Sequence, residues 1–314
     1  MKVKFWGTRG SIPTPGPSTV KYGGNTTCLE IRTDDDKLFI VDAGTGIREL
    51  GLSLLGKGQI EANVFISHTH WDHIHGWPFF IPAFIPGNSF TIYGPVHYDQ
   101  KLEEIISGQM HYSYFPVKLE HMASKISFVE LKETTFELEG VHVTAKYLHH
   151  PILVLGYRFE QNGKTVVTMF DHEKYSNIFV QKEKKEEKDD LDDLLFGSSE
   201  DDENAEKEAG EAVEEMNRRV VEFARNADLA IVDAQYTDEE YPSKIGWGHG
   251  TMEDAIKLAA NANIRRVALI HHEPTRPDEA MEKIEDFCAG EILKRGMSGK
   301  HEVFAAREKF EVEI

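Results

Sequence analysis

The sequence predicts one α/β sandwich domain spanning residues 1–314. Three observations carry this expectation. Short apolar runs rich in β-branched and aromatic residues recur between Gly, Pro, Asn and Asp, helical periodicity falls between them in both halves of the chain, and one apolar run leads straight into a histidine-dense stretch. A chain of 314 residues is long enough to bury a sizeable core.

Strands are expected in order at KVKFW, TCLEI, KLFIVD, NVFIS, SFTIYG, VHVTAKYL, VLGYRFE and TVVTMF, each bounded by turn-forming residues. Apolar positions at helical spacing predict helices over 46–55, around 97–107, over 251–262 and over 277–293. No internal repeat at a solenoid period is visible.

The segment 181–215 stands apart. It holds 16 Asp or Glu against 5 Lys, a net of -11, which is more than half of the chain's formal charge of -19. Its few apolar side chains do not offset the entropy of ordering, so part of it is expected to be a mobile insertion and the rest an exposed helix. Leu191, Leu194, Leu195 and Phe196 give it a possible docking element for a partner.

The overall acidity repels phosphate backbones and argues against bulk nucleic-acid binding, while leaving a small anionic substrate compatible. Cys28 and Cys288 are the only cysteines and lie far apart in no CxxC spacing, which suggests neither a disulfide framework nor a cysteine-based zinc site. They read as two buried thiols in a reducing compartment. The opening MKVKFW has no basic-then-apolar signal region, and no apolar run approaches the roughly 18 residues of a membrane span. A cytoplasmic protein without membrane association is expected.

The chemistry concentrates in ISHTHWDHIHG, residues 66–76. The NVFIS strand ends at Ser67, and beyond a strand end the backbone can turn sharply, so His68, His70, Asp72 and His73 can converge on one pocket. Imidazole and carboxylate are ligands that zinc, manganese and iron accept. Four such donors point to two ions.

HTHWDHIHG, preceded by FIVDAGTG and GTRGSIP, resembles the metallo-β-lactamase fold, in the phosphodiesterase branch related to ribonuclease Z and the phosphoribosyl cyclic phosphodiesterases. The similarity covers nearly the whole chain in order and fails only over the acidic insertion. It implies a four-layer αββα sandwich with a two-metal hydrolytic site at one edge of the sheets. The family's third histidine precedes a GYR strand, where HHPILVLGYRF offers His149 and His150, and the spacing favours His150. A bridging carboxylate then falls on Asp171, at the end of TVVTMFD, and a last ligand on His271 in RRVALIHHEP, with His272 as the alternate. The implied set is His68, His70 and His150 on one ion, Asp72, His73 and His271 on the other, and Asp171 between them. Two divalent ions roughly 3.5–4 Å apart would hold a bridging water as hydroxide and draw charge off a phosphoryl oxygen, so no protein nucleophile is needed. Zinc is the first choice, with manganese or iron also accepted. Asp42 is expected to steady a ligand histidine, and His75 reads as a helix-start residue without a family role.

Metal sites of this type also serve ester, thioester and lactone hydrolases, so such an activity is the alternative. GWGHGTMEDAIKLA places His249 just ahead of a helix capped by Thr251 and resembles the H-S-T segment of ribonuclease-Z-like enzymes, with Gly250 where serine is usual. The resemblance implies that His249 contacts the scissile phosphate and assists the leaving oxygen, oriented by Asp233 in LAIVDAQYTDEEY. Processing of tRNA 3′ ends fits less well, because ribonuclease Z carries a basic arm between its third histidine and bridging aspartate, and His150 to Asp171 leaves room only for a strand pair. A small cyclic nucleotide or cyclic sugar phosphate suits the charge better. Phe80, Tyr112 and Phe115 are candidates for stacking on a base. The resemblance is compatible with a homodimer, and the sequence does not fix the assembly. A catalytically silent metal-binding protein that docks a partner through the acidic insertion is the reading from outside enzymology, and retention of His70, which oxygen-reducing relatives replace with glutamate, disfavours di-iron redox chemistry.

Overall fold

The computed structural model describes residues 1–176 and 200–314. Leu191, Leu194, Leu195 and Phe196, with the acidic run up to residue 199, lie outside the described residues. The chain divides into two compact units, Met1–Glu173 with Ala224–Ile314, and Lys174–Phe223. The second unit contains most of the helix Glu200–Ala224, which takes up the later part of the acidic segment.

The larger unit is built on fourteen strands. The first sheet uses β1 (Lys2–Gly7), β2 (Cys28–Arg32), β3 (Leu38–Val41), β4 (Glu61–Phe65), β5 (Ser89–Pro95), β6 (Lys125–Leu131) and, from the chain's end, β14 (Glu311–Glu313). The second uses β7 (Thr134–Leu138), β8 (Val141–Leu148), β9 (Val154–Gln161), β10 (Lys164–Met169), β11 (Leu229–Asp233), β12 (Arg266–Ile270) and β13 (Glu302–Ala305). Their orders are β14-β1-β2-β3-β4-β5-β6 and β13-β12-β11-β10-β9-β8-β7. Each sheet is antiparallel in one half and parallel in the other, the change falling at β3 and at β10. The fully buried β3 and β11 (LFIV, LAIVD) follow from this, since central parallel strands are covered on both faces.

One core fills the space between the sheets. Phe65 is its centre, stacked on Phe39 at 6.0 Å and met edge-on by Tyr157 at 5.1 Å and Phe159 at 5.2 Å. A second core lies on the outer face of the first sheet, where α1 (Gly46–Leu54) buries Ile47, Leu50 and Leu54 and a later helix, Leu102–Gly108, buries Leu102 and Ile106. On the outer face of the second sheet, helix Met252–Asn261 packs on β12 and helix Asp278–Lys294 on β13. The result is the four-layer αββα sandwich. Among the described residues no helix is long and apolar enough to cross a membrane. Cys28 and Cys288 are free and buried.

Where the parallel strands end, the chain must turn out of the sheet, and unpaired backbone and side chains become available to a ligand. Asp42 follows β3, His68 follows β4, Asp171 follows β10, Asp233 closes β11 and His271 follows β12. Both sheets therefore deliver their chemistry to one rim.

Candidate metal centre

The motif loop is anchored from both sides before any metal donor is placed. Tyr157 Oη, rising from the second sheet, donates to the carbonyl of Ile66 at 2.7 Å. Asp42 accepts the Ser67 N–H at 2.7 Å and the Ser67 hydroxyl at 2.8 Å. The DAGTG turn and the motif loop are joined backbone to backbone, Ala43 N–H donating to His73 O at 2.7 Å and Gly76 N–H to Ala43 O at 2.9 Å. A Cβ on Gly76 would lie 2.0 Å from Gly44 O, so only glycine allows this approach. The loop then opens into a short helix, α2 (Trp71–Ile74), preceded by His70.

Two groups of donors result, and Asp171 belongs to both. In the first, His70 Nδ1 lies 3.0 Å from His68 Nε2 and 3.1 Å from His150 Nε2, while Asp171 Oδ2 is 3.4 Å from His68 Nε2 and 3.8 Å from His150 Nε2. In the second, Asp72 Oδ2 lies 3.0 Å from His271 Nε2 and 3.2 Å from His73 Nε2, and Asp171 Oδ1 is 3.3 Å from each of these nitrogens. Each oxygen of Asp171 thus faces a different group. His249 stands beside them, its Nδ1 2.8 Å from Asp233 Oδ2 and 3.9 Å from Asp171 Oδ2. Asp233 also accepts the N–H groups of Gln235 at 3.0 Å and Gly250 at 3.3 Å.

Partners on the far ring nitrogens fix the tautomers. His150 Nδ1 must donate to Gly248 O at 3.0 Å, which leaves its Nε2 lone pair facing the group, and His73 Nδ1 is held by Asp42 Oδ2 at 2.7 Å. Three of these residues, Asp42, Asp171 and His271, have positive φ of 61, 47 and 63°. Such a backbone is uncommon for residues other than glycine and is tolerated best by Asp, Asn and His.

The two groups differ electrically. Burial depresses His68 well below the ordinary histidine range and His150 to about 4, despite the opposing pull of Asp171, so this side offers neutral imidazoles. Burial alone would depress His73 and His271 as well, but Asp72 and Asp171 raise His73 well above 6.5, and Asp171, Asp72 and Asp233 raise His271 to about 9. Protons there balance buried carboxylates, and a cation could displace them. His73 Nε2 and Asp171 Oδ1 are buried without a hydrogen-bond partner, where buried polar atoms are ordinarily paired. Each group's donor atoms lie within 4.8 Å of one another. Donor chemistry, convergence and the two orphaned atoms fit divalent metal.

A cleft of about 460 Å³ opens over the centre. Ser11, Thr69 and Trp71 line it beside the cluster, and no lysine or arginine does so among the described residues. Ser11 N–H donates to Asp72 Oδ2 at 2.7 Å.

The alternates of the sequence reading point elsewhere. His149 Nδ1 bonds Glu173 O at 3.0 Å and His272 Nε2 donates to Ala306 O at 2.7 Å, because successive residues at a strand end face opposite ways. His75 caps the end of α2, its Nδ1 on Trp71 O, and does not start a helix. Thr251 caps its helix as expected, accepting from Asp254 N–H. The proposed stacking aromatics are corrected. Phe80 is fully buried in the outer core against Trp77 and Phe90, Phe115 packs edge-on against Phe79, and Tyr112 is exposed but does not line the cleft.

One carboxylate was not foreseen. Glu173, 2% exposed, accepts from Tyr241 Oη at 2.7 Å, Gly246 N–H at 2.8 Å and Gly248 N–H at 2.8 Å, and so holds the loop whose Gly248 carbonyl orients His150. Its partners are about seventy residues away in sequence, and its only local sign was a position two after Asp171.

Residues 38–188 and 211–272 match the family model described as a beta-lactamase superfamily domain. The chain belongs to the beta-lactamase superfamily. A curated relative of this superfamily member, ribonuclease BN of Proteus mirabilis, is 24% identical over 285 residues, covering 86% of this chain and 88% of the relative. Among solved structures, the metallo-beta-lactamase fold protein YhfI from Bacillus subtilis has a TM-score of 0.63 at 17% identity, over 100% of this chain and 98% of the other. Unliganded yeast PDE1 has a TM-score of 0.63 at 15% identity, over 100% and 99%. The superfamily fold implies divalent metal, typically zinc, and the two His/Asp groups supply ligands of the kind such an ion takes.

Proposed function

We propose that the protein hydrolyses a small phosphodiester, a cyclic nucleotide or cyclic sugar phosphate, with two divalent ions, zinc foremost. The observation that carries this reading is His249, tied to Asp233 at 2.8 Å on the border of the double cluster. His68, His70 and His150 would hold one ion, Asp72, His73 and His271 the other, and Asp171 both. Bound there, divalent ions supply Lewis acidity to a phosphoryl oxygen and make water a nucleophile near neutral pH.

The remaining work falls to the chain. Asp42 and the Gly248 carbonyl keep His73 and His150 in the tautomer that presents Nε2 to the cluster. Asp72, fixed by the Ser11 N–H, is placed to accept a proton from attacking water. Asp233 holds His249 by Nδ1, which leaves Nε2 to deliver a proton to the departing oxygen.

Substrate size follows from charge. A cleft without lysine or arginine, on a chain of formal charge -19, suits one phosphate better than a polyanion. The connection from His150 to Asp171 is a plain hairpin of β9 and β10 with no added arm. The test is turnover of bis(p-nitrophenyl) phosphate and of cyclic nucleotides by metal-loaded protein. Cleavage lost on chelation and in Asp72→Ala supports the reading; hydrolysis of carboxylic esters alone, or preference for a tRNA precursor, overturns it.

A further inference from the structure

We propose that Trp71 is a stacking platform for a nucleobase, so that the substrate is a nucleotide-like diester in preference to a bare sugar phosphate. This rests on the phosphodiesterase reading above and names its substrate class.

Trp71 is 80% exposed, although tryptophan is among the most buried side chains on average. It opens α2, whose other residues, Asp72, His73 and Ile74, are all buried. Thr69, His70 and Asp72 line the same cleft, and the indole is the one large apolar side chain among them, forming part of the wall. No fold contact explains it. Trp71 is absent from both apolar cores, and among the described residues no aromatic ring or cation packs on it. By contrast Trp77 sits in the outer core and Trp247 lies under Lys244. The backbone under the indole is fixed, since the Trp71 carbonyl is bonded by His75 and the neighbours on either side belong to the metal centre.

With no lysine or arginine on the wall, a ligand anchored at the cluster by its phosphate meets one large apolar face, that of Trp71. Any base offers a π-face to such a surface, which makes the contact tolerant of base identity. A cleft of about 460 Å³ falls within the roughly 300–1,000 Å³ of small-molecule sites.

The test compares two diesters with one leaving group, thymidine 5′-(p-nitrophenyl) phosphate and methyl p-nitrophenyl phosphate. Trp71→Ala is expected to raise KM for the first by about 5- to 150-fold with kcat little changed, to leave the second within about twofold, and Trp71→Phe to restore most of the loss. Equal effects on both diesters, or none on the thymidine ester, overturn the platform. If the wild type cleaves neither diester, the hydrolytic reading fails by itself, and the platform is judged by fluorescence titration with adenosine 5′-monophosphate against ribose 5-phosphate. Quenching by the nucleotide alone, lost in Trp71→Phe, then upholds it, and no quenching in the wild type overturns it.

Discussion

His73 Nε2 and Asp171 Oδ1 stand 3.3 Å apart in the buried rim of the sandwich, and neither atom has a hydrogen-bond partner. Their charges attract, but without hydrogen bonds the burial of both atoms is only partly compensated in the ion-free protein. An ion that meets both binds the native state alone and stabilises it by mass action. At a free-metal concentration a hundredfold above Kd this amounts to about 2.7 kcal/mol. Chelation is therefore expected to lower Tm by about 4 °C, reversibly on adding zinc, as measured by thermal unfolding with and without EDTA.

His249→Ala should slow cleavage according to the leaving group. A general acid contributes about 10²–10⁴-fold when the departing oxygen needs a proton. An alkoxide needs one and p-nitrophenolate scarcely does. The variant should lose about that factor in kcat on a 3′,5′-cyclic nucleotide and far less on bis(p-nitrophenyl) phosphate. Asp233→Asn, which keeps the shape but not the charge that orients His249, should follow the same pattern more weakly.

Gly248→Ala should damage the centre without touching a donor. Gly248 has φ +87°, and an added Cβ would lie 2.0 Å from His150 Nδ1. The alanine must displace the ring that shares Asp171 Oδ2 with His68. Metal analysis after dialysis should show loss of about one equivalent relative to wild type. An unchanged metal content would contradict the tie between this loop and His150.

Glu173→Ala should cost about 1–3 kcal/mol in denaturant unfolding, because it strands the buried Gly248 N–H, while Tyr241 Oη and Gly246 N–H are open enough to turn to water. Glu173→Gln keeps one acceptor and should cost less. Both variants should keep the fold, judged by far-UV circular dichroism.

His272 makes the protein acid-sensitive. Burial, opposed by its bond to Ala306, holds it at about 3 in the fold, against 6.5 as its ordinary value. Above pH 6.5 it is neutral folded or unfolded and contributes no slope. Between pH 6.5 and 3 the unfolded chain takes a proton that the native state refuses, so stability falls with pH by about 1.4 kcal/mol per unit. Denaturant unfolding at pH 7.5, 6.5 and 5.5 should show His272→Asn losing less stability than wild type between pH 6.5 and 5.5, by about 1 kcal/mol.

How much of this was legible in the sequence depended on distance along the chain. His68, His70, Asp72 and His73 share one turn, so their convergence could be read from spacing alone. His150, Asp171, His271 and Asp233 come from separate strand ends and His249 from the loop ahead of a helix, and all were reached through family resemblance. The choices within HisHis pairs followed strand alternation, which put His150 and His271 in the cluster and turned His149 and His272 away. Glu173 escaped because loop clamping by a remote carboxylate leaves no periodic trace. Phe80 was misread because an aromatic run after a helix does not disclose which ring faces α1; Gly51, with Phe80 Cδ2 2.9 Å from its would-be Cβ, makes room for it. Strands β13 and β14, four and three residues long, are too short for an alternation signal.

The strand ends that carry the chemistry come from both layers, β3 and β4 below and β10, β11 and β12 above. A metal held by these residues would act as a rivet through one margin of the sandwich. Withdrawing the ion unfastens that margin, and amide exchange at Ser67 and Asp171 should quicken together while the β8 and β9 amides keep their protection.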